Sequence, residues 1–207
     1  MKVALVRVPT TIDASASTAP ICPPIGMAYL HTICLKFTTD ITIIDSIGNY
    51  PGTRAVHGDH HDFQLLGQNK EEIVQEIGPD TDLVLVSIMF SQDWPYTREL
   101  VAEIRNRCPG AKIVAGGEHV TAVPEFSLRS SPEIDLIVMG EGEESLEGIF
   151  IAYNETGELP STQTGTAFLR DDQFIDNSRQ PRIKEIDSIR CSELSIMCTN
   201  YQKNDSF

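Results

Sequence analysis

Five short apolar runs alternate with five amphipathic segments along this chain, and that rhythm limits the folds open to it. The runs are residues 3–8, 41–45, 83–88, 112–115 and 136–139, rich in Val, Ile and Leu. Between them, residues 23–37 carry Ile25, Tyr29, Ile33 and Phe37 at helical spacing, and 70–77, 96–107, 124–130 and 143–153 also read as helices. Strands with no polar alternation are buried on both faces, which requires helices above and below a parallel sheet. The expected fold is therefore α/β and flavodoxin-like (Rossmann-like). It is a doubly wound, five-stranded parallel sheet in the order 2-1-3-4-5.

Residues 1–154 form the expected main domain, interrupted by a long polar loop at 46–69 that reads as an insertion or lid. Residues 155–178 read as an extension whose segments 165–170 and 173–175, separated by Asp171-Asp172, form a hairpin. Residues 179–207 read as a linker or tail. Its Ile183, Ile186, Ile189, Leu194, Ile196 and Met197 are too apolar for a purely flexible connector. They are expected to dock back on the first domain or to mediate self-association.

The formal charge of −14 argues against nucleic acid or an anionic membrane as partner, since both need excess Lys and Arg. There is no apolar run of roughly 18 residues, so no transmembrane helix is expected. The first residues show no signal-peptide pattern, and the expected location is cytoplasmic. The five cysteines are scattered and odd in number, as free thiols in a reducing compartment would be. They form no CxxC or CxxxCxxC, so no cysteine-ligated zinc or iron–sulfur site is expected.

In open α/β sheets ligands bind at the carboxyl ends of the strands. The loops expected there read Cys22-Pro23-Pro24-Ile25-Gly26, Ser87-Ile88-Met89-Phe90-Ser91, Gly116-Gly117-Glu118-His119-Val120-Thr121 and Gly140-Glu141-Gly142-Glu143. Glycines there let a flat or phosphate-bearing ligand approach the backbone, and hydroxyls can bond its polar edges. Each piece also has a plainer reading. A glycine pair after a strand makes a tight turn, and acids after Gly140 complement a helix dipole. His119 alone reads as a hydrogen-bonded loop residue, and Trp94 as packing. The run from Gly140 is not a GxGxxG fingerprint, because Ser145 stands at the third glycine. A phospho-receiver is disfavoured because Ser87, not an aspartate, ends the third strand.

Taken together and in this order, these motifs resemble the N-terminal cobalamin-binding domain of the B12-dependent radical SAM enzymes. The resemblance covers about residues 1–190 and rests on Pro23-Pro24-Ile25-Gly26-Met27-Ala28-Tyr29-Leu30, Ser87-Ile88-Met89-Phe90-Ser91, the stretch Gly116 to Glu125, and Gly140-Glu141-Gly142-Glu143. The family's SxL…GG element is present with Met89 in place of leucine. The resemblance implies that the serine and the glycine pair line a slot for the cofactor's nucleotide tail, between the loops after the third and fourth strands. The corrin ring would lie over the strand ends. On this view Gly116 and Gly117 are small to let the tail pass, and Glu118 to Thr121 face the tail or the corrin's amide edge. The implied cofactor-binding residues are Pro24, Gly26, Ser87, Met89, Ser91, Gly116, Gly117, Glu118, His119, Thr121, Gly140, Glu141 and Gly142.

Two departures qualify what is implied. The histidine-ligated branch of cobalamin proteins carries DxHxxG after the first strand; here Asp13 has no such histidine, so no protein histidine is expected beneath cobalt. Asp59-His60-His61-Asp62 is a near miss after the second strand. CxxxCxxC is also missing, since Gln202 and Asp205 stand where Cys198 would need partners. The iron–sulfur cluster and S-adenosylmethionine are therefore expected only in a radical SAM domain, in cis or in trans, before which the chain stops. The implied function is a cobalamin-binding module of a methyltransferase-like or cyclase-like enzyme, not catalytic alone. A cofactor-free interaction or regulatory domain and a flavodoxin-like flavin or nucleotide domain remain open at this point. The substrate is not legible.

Overall fold

The structure is a computed structural model that describes residues 1–16, 22–55 and 62–178. The tail at 179–207 and the pair His60 and His61 lie outside the described residues. In chain order the elements are β1 (Val3–Arg7), β2 (Thr10–Asp13), α1 (Ile25–Cys34), β3 (Ile41–Asp45), α2 (Ser46–Asn49), β4 (Thr53–Ala55) and β5 (Phe63–Leu66). There follow α3 (Lys70–Glu76), β6 (Leu83–Ser87), α4 (Trp94–Arg107), β7 (Lys112–Gly116), α5 (Glu118–Ala122), α6 (Pro124–Ser130) and β8 (Leu136–Val138). The last are α7 (Gly142–Thr156), β9 (Thr166–Arg170) and β10 (Gln173–Asp176).

The main sheet runs β10-β9-β8-β7-β6-β1-β3. Its five parallel strands stand in the expected order, with β1 central between β3 and β6. The sheet does not end at β8. The hairpin expected as an extension pairs antiparallel with it, Ile137 opposite Ala167 and Val138 opposite Thr166. Thus β9 covers a strand edge that would otherwise present unpaired backbone groups.

Period-two alternation sends neighbouring residues of each strand to opposite faces. Ala4, Val6, Val84, Val86 and Ile113 pack under Ile73 and Ile77 around α3, and under Leu100 and Ile104 of α4. Val3, Leu5, Leu83, Leu85 and Val114 pack under Met27 and Ile33 of α1 and Ile149 and Phe150 of α7. Each large side chain fully buried this way contributes roughly 1.5–3 kcal/mol. Capping fixes the helix ends. Asn69 and Glu72 form a reciprocal capping box on α3, and Gly157, left-handed at φ 73°, closes α7.

The stretch 46–69, expected as a polar loop, contains regular structure instead. It supplies α2, β4 and β5, and β5 pairs with both β2 and β4 in a second, three-stranded antiparallel sheet. Leu65 and Leu66 of β5 are both buried. These strands are three or four residues long, too short to show a period, and their partners are far apart in sequence.

Candidate functional site

β1, β6, β7 and β8 end side by side. Arg7 is opposite Ser87, Ser87 opposite Gly116, and Gly116 opposite Val138. Past this row the loops after β6 and β7 stay joined. Ile88 N–H donates to Gly116 O at 2.8 Å, and His119 N–H donates to Ile88 O at 3.3 Å.

This junction separates the two glycines of the pair. Gly117 has φ +110°, and a Cβ there would stand 2.3 Å from Ile88 O. The chain itself demands glycine at 117. Gly116 has no such constraint: the nearest atom to a Cβ there is Val138 O at 3.8 Å. Gly26 has no protein atom within 4 Å of an added Cβ; Gly140 has the same room, but its φ of +77° by itself favours glycine.

A cleft of about 210 Å³ opens at this edge, between the sheet face and the helix pair α1 and α7. Leu5, Leu85, Val114 and Val138 line it from the sheet, and Leu30 and Leu146 from the helices. Of the residues expected at a site, Gly26, Ser87, Met89, Gly116, Gly117, Glu118, Gly140, Glu141 and Gly142 line it. At the sheet's carboxyl edge Met89 and Phe90 are 52% and 56% exposed.

Pro24, Ser91, His119 and Thr121 do not line the cleft. Pro24 precedes α1, and its carbonyl accepts from Met27 N–H at 2.9 Å. Thr121 is buried, and its Oγ1 accepts from Gly140 N–H at 2.9 Å, tying α5 to the loop after β8. His119 is only 4% exposed and lies against the Trp94 ring, centroids 4.6 Å apart. Its Nδ1 is 2.9 Å from Ser91 Oγ, and burial lowers its pKa below the ordinary histidine value. The stretch Glu118 to Thr121 therefore splits, because α5 forms there and its turn carries residues 119 to 121 inward, leaving Glu118 on the cleft. Trp94 is a packing residue, buried and donating to Ser130 Oγ at 3.3 Å.

Two sets of charged contacts brace the edge. Asp93 Oδ1 accepts from Thr10 Oγ1 at 2.9 Å and Thr11 N–H at 2.7 Å, holding β2 against the turn before α4. Burial raises the Asp93 pKa against the opposing effect of these hydrogen bonds. Arg7 Nη1 donates to Asp45 Oδ1 at 3.2 Å and to Cys22 O at 3.1 Å, fastening the chain before α1 to the ends of β1 and β3.

The cleft's sheet-facing wall escaped the sequence reading. Leu5, Leu85 and Val114 are what a buried strand carries whether a helix or a ligand covers it. The cleft is smaller than the ~300–1,000 Å³ that encloses a whole drug-sized ligand. It suits one flat, largely apolar part of a larger molecule, with glycine backbone and the Ser87 hydroxyl at hand.

The family described as "B12 binding domain" matches residues 13–150. This chain belongs to the B12-binding domain family. Cobalamin is accordingly its cofactor, in place of the flavin or other nucleotide that the sequence left open. The B12-binding domain is 26% identical over 206 residues to an uncharacterized methyltransferase, PH0819, of Pyrococcus horikoshii, covering 99% of this chain and 40% of that protein. It is 29% identical over 187 residues to the anaerobic magnesium-protoporphyrin IX monomethyl ester cyclase of Cereibacter sphaeroides, covering 87% of this chain and 27% of the cyclase. The fold is shared with a cobalamin-dependent S-adenosylmethionine radical enzyme, OxsB, solved with aqua-cobalamin bound. The TM-score is 0.63 at 14% identity, over 97% of this chain and 25% of that one. The B12-binding domain thus spans two-fifths or less of the length of these relatives. Among the described residues no helix is long and apolar enough to cross a membrane.

Proposed function

We propose that this B12-binding domain is the cofactor-holding part of a B12-dependent radical SAM enzyme of the methyltransferase or cyclase kind. Its relatives' names and the shared fold support this reading. The sequence carries no CxxxCxxC, so the iron–sulfur cluster and S-adenosylmethionine belong to a radical SAM domain that works with it, in cis or in trans. Residues 1–154 hold the cofactor, 155–178 seal the sheet edge, and 179–207 are the connection toward that domain. The free thiols and acidic charge suit the cytoplasm.

One observation carries the placement of cobalamin. A Cβ at Gly116 would meet only ordinary van der Waals contacts, on the wall of an apolar cleft too small for the whole cofactor. The nucleotide tail enters there, against Leu5, Leu85 and Val114 and under Leu30 and Leu146. Ser87 and Glu118 supply polar groups, and the corrin lies outside, across the strand ends. Bound cobalamin supplies the cobalt chemistry, and the protein supplies binding and orientation. The residues around the cleft would exclude water from the tail and orient the cofactor at this edge.

The test is reconstitution with hydroxocobalamin followed by exhaustive dialysis. The wild-type protein should stay red with one cofactor per chain, and Gly116→Leu should emerge colourless with its circular dichroism unchanged. A wild-type protein that loses all its cofactor on dialysis would overturn the reading. Full retention by Gly116→Leu would overturn the placement.

A further inference from the structure

Ser91 and His119 are left over by the cleft, yet they form a pair that is half buried and half exposed. His119 lies beneath the surface, its ring tilted 33° against Trp94, while Ser91 is exposed. Among the described residues, the Ser91 hydroxyl has His119 Nδ1 as its one partner, at 2.9 Å.

The proton positions follow by elimination. Ser127 Oγ lies 3.5 Å from His119 Nε2, but its own proton is donated to Val123 O at 2.8 Å. Towards the imidazole, Ser127 can only accept, so Nε2 carries the hydrogen and Nδ1 is bare. Burial favours the neutral ring, in which one nitrogen donates and the other accepts. Ser91 must then donate its only proton inward to Nδ1. Its oxygen faces outward with lone pairs alone. An ordinary exposed serine rotates and serves as donor or acceptor; this one is held as an acceptor.

The position of the pair matters. Ser91 is two residues beyond Met89, and His119 is next to Glu118, both of which line the cleft. The backbone bond from His119 N–H to Ile88 O holds the two loops together. The acceptor therefore lies on the same carboxyl edge as the cleft mouth.

We infer that Ser91, oriented by His119, reads a carboxamide N–H on the periphery of the corrin. His119 is a positioning residue behind it. The inference rests on the proposed placement of cobalamin over this edge. Its chemistry is specific: a carboxamide offers an N–H to the fixed acceptor, whereas a carboxylate offers only lone pairs and is repelled.

The test compares dissociation constants for hydroxocobalamin and for its side-chain monocarboxylate derivatives, each with one amide hydrolysed. The wild-type protein should bind at least one monocarboxylate about tenfold or more weakly than hydroxocobalamin. Ser91→Ala, an exposed substitution, should weaken hydroxocobalamin by about three- to tenfold, the worth of one hydrogen bond. It should also erase the discrimination against that derivative. His119→Phe keeps a flat ring against Trp94 but frees the Ser91 hydroxyl to rotate, so it should shrink the discrimination while keeping the cofactor. Equal affinities across all derivatives in the wild type, or discrimination that survives Ser91→Ala, would overturn the inference and leave cobalamin binding intact. Failure of the wild type to bind hydroxocobalamin at all would instead overturn the reading on which it rests.

Discussion

Gly117 is pressed against Ile88 so closely that a Cβ at 117 would stand 2.3 Å from the Ile88 carbonyl oxygen and 2.8 Å from its carbon. The obstacle is backbone, and His119 N–H is bonded to the same carbonyl. Neither side can yield cheaply. With the left-handed φ of +110° added, Gly117→Ala should destabilise the fold by about 2–4 kcal/mol. Gly116→Ala, which meets only ordinary contacts with Val138, should cost within about 1 kcal/mol. Urea unfolding of the two variants side by side checks the contrast, and equal losses would refute it.

That contrast also governs the choice of a blocking substitution. A bulky residue at 117 would disturb the junction with Ile88 before it reached any ligand. At 116 the side chain would enter the cleft and occupy the space left for the cofactor's tail. Gly116→Leu should raise the Kd for hydroxocobalamin by at least about tenfold with little change in Tm. Titration followed by absorbance, paired with a thermal melt, measures both.

Asp93 should behave as a buried carboxylate held for its acceptor oxygen. Its folded pKa is raised, so the folded state binds more protons than the unfolded one just above the ordinary carboxylate pKa. Stability from this group is therefore lost as pH rises through that interval, and at neutral pH the ionised form carries a burial cost. Asp93→Asn keeps an oxygen for Thr10 and Thr11 and should be neutral or slightly stabilising at pH 7. Asp93→Ala leaves those donors unpaired and should cost about 1–3 kcal/mol. Denaturation of both variants near pH 7 and near pH 4 tests the sign.

His119 should make the fold acid-sensitive. Its folded pKa lies below the unfolded value, so as pH falls below the ordinary histidine value the unfolded state takes up the proton first. Stability is complete above the unfolded pKa and declines as pH falls towards the folded pKa. Between pH 7 and pH 5 the wild-type Tm should drop further than that of His119→Gln. Parallel melts across that range would show matching slopes if the histidine had no part in it.

No histidine is expected beneath cobalt. The first strand lacks a following DxHxxG. Electron paramagnetic resonance of the protein reconstituted with cob(II)alamin should lack the nitrogen superhyperfine triplet. A triplet that disappears in His60→Ala or His61→Ala would contradict this.

The sequence by itself determined the parallel five-stranded sheet and the edge at which the cleft opens. Runs such as Leu83–Ser87 and Lys112–Gly116 bury both faces, and only helices on both sides of a parallel sheet satisfy that locally visible demand. Loops with glycines at strand ends were legible for the same reason, because turn chemistry is written in adjacent residues. Tertiary structure alone decided what depends on distant segments meeting. The pairing of Thr10 with Leu66 joins two short strands across the chain, and neither carries a period to announce it. Leu5, Leu85 and Val114 belong to the core and also line a cleft where α1 and α7 end short of the sheet's edge, yet ligand and helix ask for the same apolar side chains. Gly116 and Gly117 are one letter repeated in the sequence. The approach of Ile88 to one and not the other leaves the first free to carry a side chain at the cleft and makes the second a requirement of the backbone.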